Sequence, residues 1–413
     1  MNRDSHSTIL DPSQHDWLQE KGLRAIFAAF AKIGAEARAV GGAVRNSLIG
    51  QPVADVDLAV NLPPEAAEAA LQKAGIKVKR TGFAHGTVTA ILGRRGYEIT
   101  SLRRDVEADG RHTAVAYTGV WEEDAARRDF TMNALYADAD GRVYDYHDGI
   151  GDLRAGRVRF IGDAAARIAE DYLRILRYFR FYAIYGRGAA DAAALQACEA
   201  AAPAMVLLSR ERVTQEWRKL LLAGDPVPAL ELMRARGILA PILPLELDLP
   251  RLAVLLRLEG DAAFALRQAA LLPQDALLEP VLQAALRLSN AECRAVVQLC
   301  DPARAMPSRQ ADLPCALYQN GAQYCRARLL LQAAAQPVRN LPELLAIIRD
   351  WQAPVFPLQG DDLLKLGLES SPQLGGLLRA VEDWWIADGF GADKAACLAE
   401  ARRRMQSGHW QQG

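Results

Sequence analysis

With 413 residues and a formal net charge of −1, the chain is long enough for roughly two or three domains with buried cores, and bulk charge cannot draw it to a polyanion, which would need a local basic surface. Its six cysteines, Cys198, Cys293, Cys300, Cys315, Cys325 and Cys397, form no Cys-x-x-Cys pair and none precedes Cys198, which argues against a disulfide framework or zinc module and for a reducing cytoplasm. Met1–Gln19 is polar and no apolar run approaches the length of a membrane span, so a soluble cytoplasmic protein without a membrane partner is expected.

Residues 20–148 mix short apolar runs, glycines and helical patches, the pattern of an α+β domain. A first strand, Ala37–Val40, runs into Gly41-Gly42-Ala43-Val44-Arg45. Gly41 and Gly42 carry no Cβ to hold a phosphate away from the backbone amides. A helix from Ala43 onward favours an anion at its start, and Arg45 supplies a counter-charge. In a strand over Val53–Val60 side chains alternate, so Asp55 and Asp57 share a face with Cα atoms about 6–7 Å apart. Two carboxylates so placed converge on one or two divalent cations that also bridge triphosphate oxygens, the layout of metal-dependent nucleotidyl transfer. Each half alone reads as a solvated turn or a chance Asp-x-Asp; their coupling favours the chemistry.

A helix over Pro64–Ala74 is followed by a turn at Gly82–Thr87, where His85 is a structural or phosphate-proximal residue. Strands over Thr87–Leu92 and Tyr97–Ser101 come next, and in the second Glu98 is either a third carboxylate beside Asp55 and Asp57 or an exposed strand residue. Arg127-Arg128-Asp129-Phe130-Thr131-Met132-Asn133-Ala134 follows the acidic Glu122-Glu123-Asp124. Arg128 suits a phosphate or ribose oxygen and Asp129 a ribose hydroxyl; the alternative is an exposed salt-bridge cluster of little energetic weight. Strands over Leu135–Ala137 and Val143–Tyr146, joined by a turn at Asp140-Gly141, close this head.

After Asp148-Gly149 the pattern is helical, read as a neck over 149–222 and a body and tail over 223–413, with proline clusters at Pro241–Pro250, Pro302–Pro307 and Pro354–Pro357 as boundaries. A helix over Glu170–Arg180 places Asp171, Arg174, Arg177 and Arg180 in one row, opposite Tyr172, Ile175, Phe179 and Tyr182. A carboxylate only accepts hydrogen bonds and a guanidinium only donates them. Asp171 beside Arg174 therefore matches the amino donor and ring-nitrogen acceptor that cytosine and adenine present on their Watson–Crick edges. Uracil and guanine set a keto oxygen against the aspartate, leaving buried polar groups unpaired at about 1–3 kcal/mol each. The plainer alternative is an amphipathic helix with a solvated charge row.

In this order, Gly-Gly-Ala-Val-Arg, Asp-x-Asp, Arg-Arg-Asp-Phe-Thr-Met-Asn-Ala and Glu-Asp-x-x-Arg, within residues 38–182, resemble the class II branch of the tRNA nucleotidyltransferase and bacterial poly(A) polymerase superfamily, its CCA-adding members above all. Gln359–Leu364 and Gly375–Trp384 are weakly similar to the family's tail. The resemblance implies an α+β fold: a polymerase-beta-like nucleotidyltransferase head with a mixed sheet, followed by an all-α neck, body and tail that grip tRNA. It implies that Asp55 and Asp57 hold magnesium (Mg2+), that Gly42, Arg45, Arg128, Arg174 and Arg177 contact nucleotide, and that Asp171 reads the base. Two departures stand out. Asn46 replaces the family's usual aspartate, and with His409 the only histidine after His147, an appended His-Asp phosphohydrolase domain is not expected. Arg103 through Thr118 resembles the mobile loop of full CCA-adding enzymes.

The expected function is template-independent addition of C, C and A to tRNA 3′ ends from CTP and ATP. Asp55, Asp57 and Glu98 are the expected catalytic set, and Gly41, Gly42, Arg45, Arg128, Asp129, Asp171, Arg174, Arg177 and Arg180 the nucleotide-binding set. A poly(A) polymerase, a partial CC- or A-adding enzyme and a non-catalytic RNA-binding protein are the rivals. For RNA, Arg154, Arg157, Arg159, Arg167, Arg187 and the tail, including Arg402–Arg404, are the candidates.

Overall fold

Seven strands of the computed structural model form one sheet: β1 (Ala37–Val40), β2 (Asp57–Val60), β3 (Lys77–Lys79), β4 (Thr87–Leu92), β5 (Arg95–Ser101), β8 (Leu135–Ala137) and β9 (Val143–Asp145). A separate hairpin pairs β6 (Arg103–Val106) with β7 (Ala114–Tyr117). The structure describes residues 8–106, 114–274, 278–304, 306–307, 309–367 and 372–407, so part of the loop noted between Arg103 and Thr118 lies outside the described residues.

The sheet runs β3-β4-β5-β2-β1-β8-β9, and only the β2–β5 pair is parallel. It is a mixed sheet, as the sequence indicates. Strand β2 is shorter than the expected Val53–Val60 because its partner runs out: Val40, the last residue of β1, pairs with Asp57, and Gly41 then turns away. Asp55 therefore precedes the strand, although alternation persists, with Val56 buried between exposed Asp55 and Asp57. Strand β3 was not expected. Its Lys-Val-Lys carries a single apolar residue, which suits a short edge strand guarded by lysines.

Helices α1 (Asp16–Gln19), α2 (Lys21–Ala31) and α4 (Pro64–Lys73) belong to the head, with α2 and α4 packed on each other and on strands of the sheet. Helix α3 (Gly42–Leu48) leaves β1 directly, and α5 (Trp121–Ala126) contributes Trp121 and Ala125 to a core with Val40, Ala59, Tyr136 and Ile161. Within the expected neck lie α6 (Gly149–Ala155), α7 (Ala164–Glu170), α8 (Leu173–Tyr185), α9 (Ala192–Ala201) and α10 (Arg210–Leu221); α11 (Val227–Ala235) falls beyond residue 222, in the expected body, yet α8 packs on it as well as on α10. Head and neck share an aromatic core: Phe130 lies 4.8 Å from Phe160 and 5.1 Å from Phe181, and Phe160 stacks on Tyr178 at 5.7 Å. The first compact unit accordingly ends at Pro244, with residues 148 and 222 both inside it.

The second unit begins at Leu245, and every element among its described residues is a helix, from Leu249–Leu258 to Lys394–Ser407. One core gathers Leu313, Leu317, Leu329, Leu344 and Ile348, and another Leu363, Leu377, Val381 and Trp385. Among the described residues no helix is long and apolar enough to cross a membrane.

Candidate active site

The glycine turn after β1 is built as its sequence demands. Gly41 has φ +68° and ψ −112°, a conformation that a side chain strains, and its carbonyl accepts from the Arg45 amide at 2.9 Å to open α3. Arg45 is thereby carried inward until only 9% of it is exposed. Nη1 donates to Asn133 Oδ1 at 2.5 Å and Nη2 to Asn46 Oδ1 at 3.2 Å, while the guanidinium lies over Tyr185 at 4.5 Å. Its buried Nε has no partner among the described residues, and burial lowers its pKa despite the neighbouring Tyr185. A buried cation with a spare donor beside a cavity suits an anionic ligand. Asn46 also explains a departure from the family pattern: its amide donates to Pro52 O at 3.0 Å, which a carboxylate cannot do.

Gly41, Gly42 and Arg45 line a cavity of about 320 Å³ together with Asp57, Glu98, Thr100, Arg103, Arg127, Arg128, Asp129, Asn133, Arg177 and Phe181. Five arginines face three carboxylates here, a balance that favours a polyphosphate. Partial desolvation first, then Glu98 and Asp55, raise the pKa of Asp57, so the other two expected catalytic carboxylates both lie within electrostatic reach of it. Asp55 itself does not line the cavity. Among the described residues no three His, Cys, Asp or Glu side chains are grouped to hold a metal by themselves. Asp55 and Asp57 still fit a divalent cation, since they are hard oxygen donors and their mutual repulsion is what such a cation would relieve.

Asp124, 1% exposed, organises the arginine side of the cavity. Its Oδ1 accepts from Arg127 Nε at 3.0 Å and from the Arg103 amide at 3.3 Å. Its Oδ2 accepts from Arg128 Nη2 at 2.9 Å and from the Tyr136 hydroxyl at 2.8 Å. Burial opposes its ionisation, but Arg128 and Arg127 hold its pKa below the ordinary value. Asp129 is similarly engaged. Oδ1 accepts from the Phe130 amide and from Asn133 Nδ2, both at 2.9 Å, and Oδ2 accepts from Arg177 Nε at 2.8 Å and Nη2 at 2.5 Å. It holds protein groups that face the cavity, a different use from the ribose contact the sequence suggests.

A second cavity, also about 320 Å³, is lined by Arg127, Arg128, Asp129, Asp171, Leu173, Arg174, Arg177 and Arg212. Arg127, Arg128, Asp129 and Arg177 line both cavities. The continuous helix expected over Glu170–Arg180 is broken: α7 ends at Glu170, Asp171 is extended at φ −157°, and α8 starts at Leu173. The break presents Asp171 at the head of α8, where Arg174 N donates to Asp171 O at 3.0 Å and Leu173 N to Oδ1 at 3.1 Å. Arg174 Nη1 donates to Arg167 O at 2.7 Å and pairs with Glu170, while Asp171 Oδ2 accepts from Arg212 Nη2 at 2.6 Å. Arg180 lines neither cavity; its Nε donates to buried Glu216 at 2.6 Å.

Arg127 and Asn133 stand in the same motif as Arg128 and Asp129 but are not singled out by residue type, whereas Arg212 and Glu216 on α10 carry no local signal. Of the neck arginines assigned to RNA, Arg157 and Arg159 are tied to buried Asp152 at 3.0 and 2.8 Å, and Arg167 pairs with Glu170 at 2.8 Å. In the second unit, Arg403 and Arg404 both pair with Glu400. His85 accepts from Arg103 Nη1 at 2.6 Å through its backbone carbonyl, a structural role.

Residues 37–159 match the family described as "Poly A polymerase head domain", and 191–247 match "Probable RNA and SrmB- binding site of polymerase A". The chain is 34% identical over 396 residues to the mitochondrial CCA tRNA nucleotidyltransferase 1 of Mus musculus, covering 93% of this chain and 90% of that relative. The solved CCA-adding enzyme of Bacillus stearothermophilus in complex with CTP superposes with a TM-score of 0.76 at 26% identity, over 94% of this chain and 98% of that one. A Thermotoga maritima CCA-adding enzyme complexed with tRNA shares the fold at a TM-score of 0.67 and 18% identity, over 96% of each chain.

Proposed function

Because the chain belongs to the CCA tRNA nucleotidyltransferase family, we propose that it adds C, C and A to the 3′ end of tRNA from CTP and ATP, one nucleotide at a time and without a template. In each step the terminal ribose 3′-hydroxyl attacks the α-phosphate of the incoming nucleotide. A P–O bond to the growing strand forms as the bond to the β-phosphate oxygen breaks, pyrophosphate leaves, and the hydroxyl proton passes to solvent. The observation that carries this reading is the junction of the two cavities. Asp171 and Arg174 line one, Asp57 and Glu98 the other, and four residues line both.

Asp55 and Asp57 would hold Mg2+, whose chemistry at that position is Lewis-acid stabilisation of charge on the α-phosphate and departing pyrophosphate. Gly41 and Gly42 let the triphosphate approach the backbone, and Arg45 offers its unpartnered Nε to it. Asp124 aims Arg127 and Arg128 into the shared wall, and Asp129 aims Arg177 and Asn133. Glu98 sustains the negative potential that draws a cation to Asp57. Asp171 accepts from the base amino group while Arg174 donates to the ring nitrogen. Six free thiols, five of them buried, suit the reducing cytoplasm as the site of action.

Supplying one nucleotide at a time to tRNA lacking CCA tests this directly. CTP alone should be incorporated, ATP should be added to tRNA already ending in CC, and UTP and GTP should scarcely react. Equal incorporation of all four contradicts the reading.

A further inference from the structure

The carboxylate assigned to the base is held by a residue from a helix about forty positions downstream. Arg212 lies in the first turn of α10, lines the same cavity as Asp171 and Arg174, and donates from Nη2 to Asp171 Oδ2 at 2.6 Å. The other Asp171 oxygen accepts from the Leu173 amide at 3.1 Å. We propose that Arg212 is a specificity-determining positioning residue, which fixes the Asp171 carboxylate so that its remaining lone pairs face the incoming base. The proposal rests on the reading of this cavity as the base pocket.

A carboxylate offers about four acceptor sites. Two donors, one on each oxygen, fix its plane and leave acceptor capacity for an exocyclic amino group. Discrimination depends on that fixity. A locked acceptor meets the keto oxygen of uracil or guanine with repulsion, whereas a carboxylate free to rotate can turn aside and admit a bridging water. Asp171 needs such support because it stands at the break between α7 and α8, where its backbone is extended at φ −157° and no helical turn packs around its side chain on both sides.

The local structure makes the test informative. Arg212 is half-exposed, so its ion pair contributes little to folding. Helix α10 is anchored independently by buried Val213, Trp217 and Leu220, by Arg210 Nη1 donating to Pro241 O at 3.0 Å, and by the Glu216–Arg180 pair. Removing the Arg212 side chain leaves each of these in place.

The experiment compares full-length wild type, Arg212→Ala, Arg212→Lys and Arg174→Ala, measuring kcat/KM for each of the four nucleotides and the unfolding midpoint. Arg212→Ala should lower the CTP/UTP and ATP/GTP ratios by about tenfold or more with an unchanged midpoint. Arg212→Lys should recover part of the loss, since an ammonium can still donate to Oδ2 without the guanidinium's planar fork. Unchanged ratios in Arg212→Ala overturn the proposal, as does a lower KM with discrimination intact, which would make Arg212 a placeholder the base displaces. Arg174→Ala separates the two levels. If it loses discrimination while Arg212→Ala keeps it, only the role of Arg212 fails; if both keep it, the base pocket itself is misassigned.

Discussion

Arg177 on α8 donates from Nε and Nη2 to a single oxygen of Asp129, at 2.8 and 2.5 Å, and so ties the neck to the head where the two cavities meet. Asp129 is 9% exposed, and among the described residues the only other carboxylate paired with Arg177 is Glu216 at 3.8 Å. Asp129→Ala leaves Arg177, about a third exposed, short of its nearest partner, at about 1–3 kcal/mol of stability. Denaturant unfolding checks this, and nucleotide binding should weaken in the same variant because Arg177 and Asn133 lose their common anchor.

Asp124 sets an acid limit. Burial opposes its charge, but Arg128 and Arg127 hold its pKa below the ordinary 3.8. The unfolded chain therefore binds the proton more readily, so the stabilisation is complete above pH 3.8 and is lost as pH falls through the lower folded value. Asp124→Asn should be less stable than wild type at neutral pH and lose less on acidification. Unfolding midpoints measured between neutral pH and about pH 3 should thus converge at the acid end.

Asp171→Asn should change the choice of base rather than abolish turnover. An asparagine amide can present its NH2 group as a donor, which a uracil or guanine keto oxygen accepts. Relative incorporation of UTP and GTP should rise about 10–100-fold, the equivalent of one buried mismatch relieved. Competition between CTP and UTP on tRNA lacking CCA measures it.

Gly41→Ala tests the backbone of the phosphate turn. At φ +68° and ψ −112° an alanine costs about 1–3 kcal/mol. A turn that relaxes to avoid this strain moves the backbone beside the cavity. Loss of stability with a raised KM for both CTP and ATP is expected; a CTP-specific effect would point elsewhere.

What the chain revealed before its structure was whatever depends on local pattern. The glycine turn into a helix, the alternation around Asp55 and Asp57, and strands Ala37–Val40, Thr87–Leu92 and Leu135–Ala137 all follow from neighbours in sequence. The break at Asp171 was hidden because Glu170–Arg180 has helical periodicity from end to end, with no glycine or proline to mark the place. Arg212 and Glu216 were hidden for a related reason: they meet Asp171 and Arg180 across 41 and 36 residues, and an arginine or glutamate on an amphipathic helix carries no sign of its distant partner. The late start of β2 depends on where β1 stops, which is a property of the sheet.

The most direct measurement is the sequence of the 3′ ends made when the protein acts on tRNA lacking CCA with CTP, ATP and Mg2+ present together. Wild type should add C-C-A and stop, and the Asp55→Ala plus Asp57→Ala variant should add nothing while remaining folded. A long adenylate tail, or C-C-A addition that survives loss of both carboxylates, would contradict the assignment.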